Sequence, residues 1–580
     1  MSLLVAAIDF GTTFSGFAFS FKHDFDRDPL KVSAKQWNGG QMVSMKTPTC
    51  AMIKSDGKTL EAFGYEAENK YEEYALTKSL EEYYYFRRFK MMLHGKNNIK
   101  RDVTIKDQNG RPLLAQTVFS LSIKYLRDDL LKTAGSITGI DLKKHDIHWV
   151  LTVPAIWNDA AKQFMREAAQ KAGIQGQKLT IALEPEAASL YCRHLPVERC
   201  GSDEVSLAQF PVGTKYLVLD AGGGTVDITV HEVMENGKVK ELEKASGGAW
   251  GGTKVDDAFE LFLTEIAGNS DVMRKLKVDY MEDFIDMFRY FELKKREVRP
   301  ENTGTVTFQI PASFKELVKK IAGKKLPKAV SKSKYKGKVE VVTGKLKVDV
   351  DLLKQLFHES VKSVVDHVGS LLRKPSVQGC KAILMVGGFS ESPMLQMNVK
   401  KSFPELKLII PDEAGLAVLK GAVIFGHNPT AIDQRICKFT YGVNVGHFKS
   451  PFCTHAPTRV VRVDEGNLIC YDLFMITARI GQSVTLGEEQ EEHLVQPIYE
   501  NQSGIHVEVY ATSSPNPQLV TEDGCSKIGQ LHVDIPDTSV GTDREFGVSF
   551  IFGRTEIEVK VVDKESGEIT RTFVDFLQNI

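Results

Sequence analysis

The sequence predicts an α/β fold over roughly its first 430 residues and an all-β, sandwich-like fold over the remainder. Three observations carry this reading. Two glycine-rich turns that each begin with aspartate, Asp9-Phe10-Gly11-Thr12-Thr13 and Asp220-Ala221-Gly222-Gly223-Gly224-Thr225, follow apolar runs and precede alternating ones. Short β runs alternate with helical patterns on either side of the second turn. From about Cys437 period-two alternation takes over, broken by turn-rich stretches such as Ser513-Ser514-Pro515-Asn516-Pro517.

Taken in order, the apolar run at 3–8, the first turn and the alternation of Phe14, Gly16 and Ala18 read as one β-hairpin. A strand over 149–153 stops at Pro154, and Asn158 or Asp159 caps a helix. That helix sets Ala161, Phe164, Met165, Ala168, Ala169 and Ala172 on one face and ends at Gly173. A strand over 179–183 runs into Glu184-Pro185 and a further helix. The second turn closes a hairpin whose return strand alternates Ile228, Val230 and Val233. Helices over 288–299 and 352–372, a strand over 382–386, the Gly387-Gly388 turn and a helix over 414–425 complete the α/β part. Ser390 or Ser392, with Pro393, starts the helix after that turn. His427-Asn428-Pro429 marks the junction, and β segments follow at 441–445, 505–511, 531–535, 548–552, 557–562 and 570–576.

Composition narrows the function. At net charge −1 no global field draws the chain to nucleic acid or anionic membrane. The apolar run at 3–8 is too short for a leader core, and no segment reaches about 18 uninterrupted apolar residues. The cysteines form no C-x-x-C pair and the histidines no ligand spacing, which favours reduced thiols and no zinc. The expected setting is the cytoplasm, with the nucleus also open. Residues 315–338 hold ten lysines against the single acid Glu316; they are either a basic docking surface or a solvated, mobile insertion.

Glycines let backbone approach an anion closely, and successive N–H groups in such turns make a positive nest. One such turn means little. Two of them, each opened by an aspartate able to hold a hydrated Mg²⁺, suggest half-sites closing on one nucleotide.

The ordered set of the 9–15 hairpin, Val153-Pro154-Ala155-Ile156-Trp157-Asn158-Asp159, Glu184-Pro185-Glu186-Ala187-Ala188, the 220–227 hairpin and Val386-Gly387-Gly388 resembles the ATPase domain of the 70-kilodalton heat-shock chaperones. Phe10-Gly11-Thr12-Thr13-Phe14-Ser15-Gly16-Phe17-Ala18 and Phe89-Lys90-Met91 resemble its divergent type-12 subgroup. The resemblance implies a two-lobed, actin-like ATPase domain over 1–427, with lobe I about 1–200 and lobe II about 201–427. A β-rich substrate- or partner-binding domain over 437–580 would follow, and in a departure from the parent family no helical lid is expected after it.

It also implies ATP or ADP with Mg²⁺ as ligands. The amides of Gly11, Thr12 and Thr13 and of Gly222, Gly223, Gly224 and Thr225 would cradle phosphates, and Asp9 and Asp220 would face the metal. Glu184 would hold a metal water and Asp227 would orient the attacking water. Lys90 is the family-like lysine for the γ-phosphate, with Arg87 or Arg88 as alternatives, or the cluster is a solvated helix face. Glu292, Lys295 and Arg296 would meet the adenosine with Gly387 and Gly388, while Gly251 and Gly252 fit a turn on the β-phosphate side. Pro154 is either a relay beneath Glu184 or an ordinary strand terminator.

Departures temper the parallel. Glu391 stands where the parent family has a second arginine, and 428–435 lacks the acidic, leucine-rich linker. Three functions stay open: an ATP-gated chaperone-like protein with protein or peptide clients, a nucleotide-sensing adaptor for signalling partners, and a small-molecule kinase.

Overall fold

Two sheets repeat one scheme, an antiparallel hairpin extended on one side by parallel strands. The computed structural model describes residues 2–577 apart from 40–42, 78, 97–98, 140–141, 200–205, 451–460, 465–466 and 554–555. In the first sheet Leu4–Asp9 pairs antiparallel with Phe14–Phe21 and parallel with Ile147–Val153, which is followed by Leu179–Leu183. In the second, Lys215–Ala221 pairs antiparallel with Val226–Val233 and parallel with Ala382–Val386, which is followed by Lys407–Ile409. The first strand of each hairpin is a near-continuous apolar run, as strands buried on both faces require.

Helices Glu184–Cys192 and Ala417–His427 lie between the sheets, and a Cβ on Gly421 would fall 1.7 Å from the Ala187 carbonyl oxygen. Only glycine permits that approach. An apolar cluster containing Val5, Ala7 and Val150 of one sheet and Tyr216, Val218 and Leu384 of the other surrounds these helices. Asn158, not Asp159, caps the helix Asp159–Lys171, its side chain accepting the Ala161 N–H. Ser392 precedes Pro393 at the start of Pro393–Ser402.

The lysine-rich stretch is ordered: Ala312–Ile321, Leu326–Val330 and the strand Val339–Val342 bury Leu317, Val318, Leu326, Ala329 and Val330 in the lobe II core and turn most lysines to solvent. A mobile insertion is thereby replaced by a folded, basic flank.

The stretch 428–435 is also no free linker. Ile432–Ile436 joins the second sheet beside Val239–Gly248, and Ser483–Thr485 pairs on its far side. Further on, a five-stranded and a four-stranded sheet share one core, in which Val443, Val507 and Val509 face Phe546, Val548, Phe550, Val559 and Val561. Among the described residues after Cys437 the sole helical turn is Gly541–Asp543. The end of the β-rich region returns to lobe I: Arg101 and Gln163 bond Asp575 at 2.8 and 2.7 Å, and Leu577 is buried in the lobe I core. Residues 578–580 lie outside the described ones. No described helix is long and apolar enough to cross a membrane.

A buried polar cluster ties these parts together. Arg435 forks onto Glu186, Ile436 donates its N–H to Glu241 at 3.0 Å, and Lys438 donates to the carbonyls of Ala155 and Trp157. Burial, then the neighbouring Glu186 charge, pushes the Glu241 carboxyl up to about 7. Burial pushes the nearby His231 imidazole down to about 4. An imidazole held neutral while its unfolded counterpart protonates contributes stability that is lost as pH falls from about 6.5 through 4. The expected outcome is that wild type loses on the order of 3 kcal/mol more than His231→Phe between pH 7 and pH 4. Urea midpoints at the two pH values measure it, and parallel losses would show His231 titrating freely.

Candidate functional site

The two glycine turns interlock. Strand pairing carries Asp9 opposite Gly16 and Asp220 opposite Asp227, so each turn projects from the end of its hairpin. A Cβ on Gly223 would lie 2.1 Å from Thr13 Oγ1, and one on Gly224 would lie 2.7 Å from Thr12 Cγ2. One on Gly11 would strike the Phe14 carbonyl oxygen at 2.1 Å. The Gly222 N–H closes the second turn on the Thr225 carbonyl at 2.9 Å. Gly251 braces this turn rather than facing the opening, because its N–H bonds Gly224 O and a Cβ there would meet Gly223 O at 2.5 Å. The N–H groups of Gly252 and Thr253 bond the carbonyls of Gly222 and Gly223.

A cleft of about 1110 Å³ opens over the turns and is lined by Asp9, Gly11, Thr12, Thr13, Lys90, Glu184, Asp220, Gly222, Gly223, Gly224 and Thr225. Gly252, Glu292, Lys295, Arg296, Gly387 and Gly388 line its other side. Of the residues assigned from the sequence to nucleotide, metal or catalysis, Gly251 and Asp227 are the two that do not line it, and the relay candidate Pro154 does not line it either. Asp227 is buried, 1% exposed, and accepts the Ile156 N–H at 2.8 Å just past Pro154, with its charge close enough to act on Glu184 and Asp220 at the cleft floor.

Carboxylates and ammonium groups alternate at the cleft floor. Lys90 Nζ lies 2.8 Å from Glu184 and 5.0 Å from the Trp157 ring, while Lys46 Nζ lies 2.6 Å from Asp9, which also accepts the Thr152 hydroxyl at 2.9 Å. Burial, with like charges nearby, pushes the Glu184 carboxyl up to about 7 and the Asp220 carboxyl well above its usual range. Burial opposes ionisation of Asp9 too, yet Lys46 and Lys90 hold it below the ordinary carboxylate value. Arg87 and Arg88, the alternatives to Lys90, turn instead to Glu68 and Asp256.

On the other wall, Lys295 pairs with Asp256 at 2.7 Å and Glu292 at 2.5 Å, and Arg296 pairs with Glu292 at 2.8 Å. Gly387 has φ +86, and a Cβ there would meet Asp220 Oδ1 at 2.4 Å, so glycine is required on both counts. Around Gly388 an added Cβ would meet nothing within 4 Å. Glu391 accepts the Gly415 N–H at 3.0 Å, a structural use for the acid that departs from the parent pattern.

Residues 86–433 match the family described as Hsp70 protein. The chain is 33% identical over 628 aligned residues to heat shock 70 kDa protein 12A of Mus musculus and of Homo sapiens, covering 99% of this chain and 92% of each relative. It is likewise 33% identical over 635 residues to human heat shock 70 kDa protein 12B, covering 99% of this chain and 91% of that protein. The chain belongs to the Hsp70 family. Its α/β part carries that family's actin-like ATPase fold, and the full-length likeness to the 12A and 12B proteins places it with the divergent type-12 members.

Sequence reasoning missed Lys46 and Asp256 in this Hsp70-family chain. Lys46 enters the cleft because Thr47–Pro48 pairs with Phe14 and Ser15, a contact that no local pattern announces. Asp256 reads as one charge on an amphipathic helix until Lys295 and Arg88 converge on it. Among the described residues no three His, Cys, Asp or Glu side chains form a metal-holding group. Mg²⁺ does not ask for one: it is held through one or two carboxylates, its waters and substrate phosphates. Asp9 and Asp220, flanking paired N–H-rich turns, fit that requirement.

Proposed function

We propose that this protein binds ATP with Mg²⁺ between its lobes and hydrolyses it slowly, and that lobe closure gates how the C-terminal β-rich region, read as a sandwich, holds a protein segment. The single observation carrying this is the contact of the two glycine turns, Gly223 against Thr13 and Gly224 against Thr12. Amides from both turns would grip one triphosphate, so the bound phosphates draw the lobes together. Mg²⁺, when bound near Asp9 and Asp220, supplies charge neutralisation on the phosphate oxygens. Lys90 supports the γ-phosphate from beside Glu184, and the hydroxyls of Thr12, Thr13 and Thr225 add donors. Glu292, Lys295 and Arg296 face the nucleoside. Asp227 acts through Ile156 and Thr225, positioning the loop after Pro154 and the turn rather than touching phosphate.

Single-turnover ATP hydrolysis by wild type and Asp227→Asn, with and without an extended hydrophobic peptide, tests the reading. A loss of tenfold or more in the variant, about 1.4 kcal/mol of transition-state stabilisation, is expected. Equal rates would remove Asp227 from the mechanism.

One observation favours a second reading, a nucleotide-sensing adaptor: Asp227 does not line the cleft and one of its oxygens accepts a backbone N–H. In that case ATP uptake proceeds with negligible turnover, and Asp227→Asn leaves partner binding intact.

A further inference from the structure

We infer that Lys46 is a phosphate-side ammonium that supplies part of the charge neutralisation a divalent cation would otherwise provide, so that this chain retains ATP when Mg²⁺ is withdrawn. This rests on the nucleotide reading above.

Lys46 precedes the short strand Thr47–Pro48 that pairs with Phe14 and Ser15, directly after the first glycine turn. Its stem lies over Gly16, where an added Cβ would meet Lys46 Cγ at 3.0 Å. The strand pairing and that contact fix where the ammonium can reach. Nζ lies 2.6 Å from Asp9 Oδ2, and the side chain keeps 17% exposure on the cleft wall that it shares with Thr12 and Thr13.

Three carboxylates line the floor: Asp9, Glu184 and Asp220. Asp9 is paired with Lys46 and Glu184 with Lys90, whereas Asp220 has no ion pair among the described residues. The site therefore holds two resident ammonium groups before any ligand arrives. The four-carbon stem of Lys46 allows Nζ to turn from Asp9 toward an incoming phosphate oxygen without moving the backbone. A triphosphate lowered onto these carboxylates without Lys46 would meet stronger repulsion, with Lys90 the resident ammonium left on the floor and a metal ion needed for the rest. With Lys46 present, the metal is less indispensable for binding.

The experiment is calorimetric titration of ATP into the full chain, once with Mg²⁺ and once with EDTA, for wild type, Lys46→Gln and Lys46→Arg. Glutamine keeps a hydrogen-bond donor for Asp9 and removes the charge; arginine keeps the charge. Chelation should weaken wild type by less than about tenfold and Lys46→Arg similarly, while Lys46→Gln should lose at least about tenfold more than wild type. A merely structural bond to Asp9 would leave the ratio of the two affinities unchanged in Lys46→Gln. That result, or a wild type that loses about tenfold or more on chelation, overturns the inference. The wild-type ratio decides by itself should the glutamine variant fail to fold. No uptake of ATP by wild type even with Mg²⁺ would instead refute the nucleotide reading from which the inference starts.

Discussion

Gly223→Val abolishes measurable nucleotide uptake while leaving the thermal midpoint nearly unchanged. This is the largest effect expected of any single substitution at the site. A Cβ on Gly223 would stand 2.1 Å from Thr13 Oγ1, 2.7 Å from its Cγ2 and 2.9 Å from its Cβ. Contacts below about 3 Å between such atoms cannot be absorbed by a rotamer change alone when all three belong to one short, branched side chain. The turns must part, and backbone N–H groups aimed at one anion then no longer converge. Affinity should fall at least about a hundredfold, some 2.7 kcal/mol, in calorimetric titration with Mg-ATP. Because Gly223 sits on a turn and not in a core cluster, the melt should move little. Gly223→Ala combined with Thr13→Gly removes the opposing side chain and should restore part of the binding. Wild-type affinity in Gly223→Val would mean that the turns stand apart in solution.

Arg435→Ala destabilises the fold by about 3 to 5 kcal/mol, the range for breaking a buried ion pair from one side. Arg435 Nε lies 2.7 Å from Glu186 Oε1, and the guanidinium reaches the second oxygen as well. The two side chains are 12% and 3% exposed. Removing the arginine strands the Glu186 carboxylate in a buried site, beside the Glu241 carboxyl that its charge helps to push up. Glu186→Gln in the Arg435→Ala background should recover a substantial part of the loss, since it removes the orphaned charge. Arg435→Lys should not substitute well, because a point charge cannot make the forked contact. The urea midpoint of each variant measures this, and strict additivity of the two substitutions would show that the pair does not interact. Glu186 follows Glu184 by two residues in the same helix, so loosening it also frees the carboxylate that pairs with Lys90.

The two hairpins and their turns were legible because every signal for them is local: an apolar run, an aspartate, glycines, then alternation. A helix cap at Asn158 or Asp159 was legible for the same reason, while the choice between these neighbours came only with the Ala161 N–H bonded to Asn158. What lay hidden depends on pairings far apart in the chain. Lys46 beside Asp9, Asp256 beneath Lys295 and the interlock of Gly223 with Thr13 all need two segments to meet. The strand Ile432–Ile436 alternates over too few residues to stand out, and its Arg435 reads as a solvent-facing charge until Glu186 is opposite it. The long strand Asn467–Ala478 was obscured by two short apolar runs either side of Asp472, which period alone cannot assign to strand or helix. In the basic stretch, lysines masked the buried Leu317, Val318, Leu326 and Val330 that hold it to lobe II. Motif spacing named the turn residues and several of the charged groups that line the cleft, and missed others such as Lys46 and Asp256. It could not show that Asp227 accepts the Ile156 N–H.

The return of Leu577 to the lobe I core adds a non-covalent clasp, Asp575 on Arg101 and Gln163, to the covalent path through 428–436 and to the bonds of Lys438 and Tyr441 with the loop and helix after Pro154. A body pinned at several points cannot swivel freely about any one of them. Any swing of that region must therefore drag lobe I with it or first draw a leucine out of its socket.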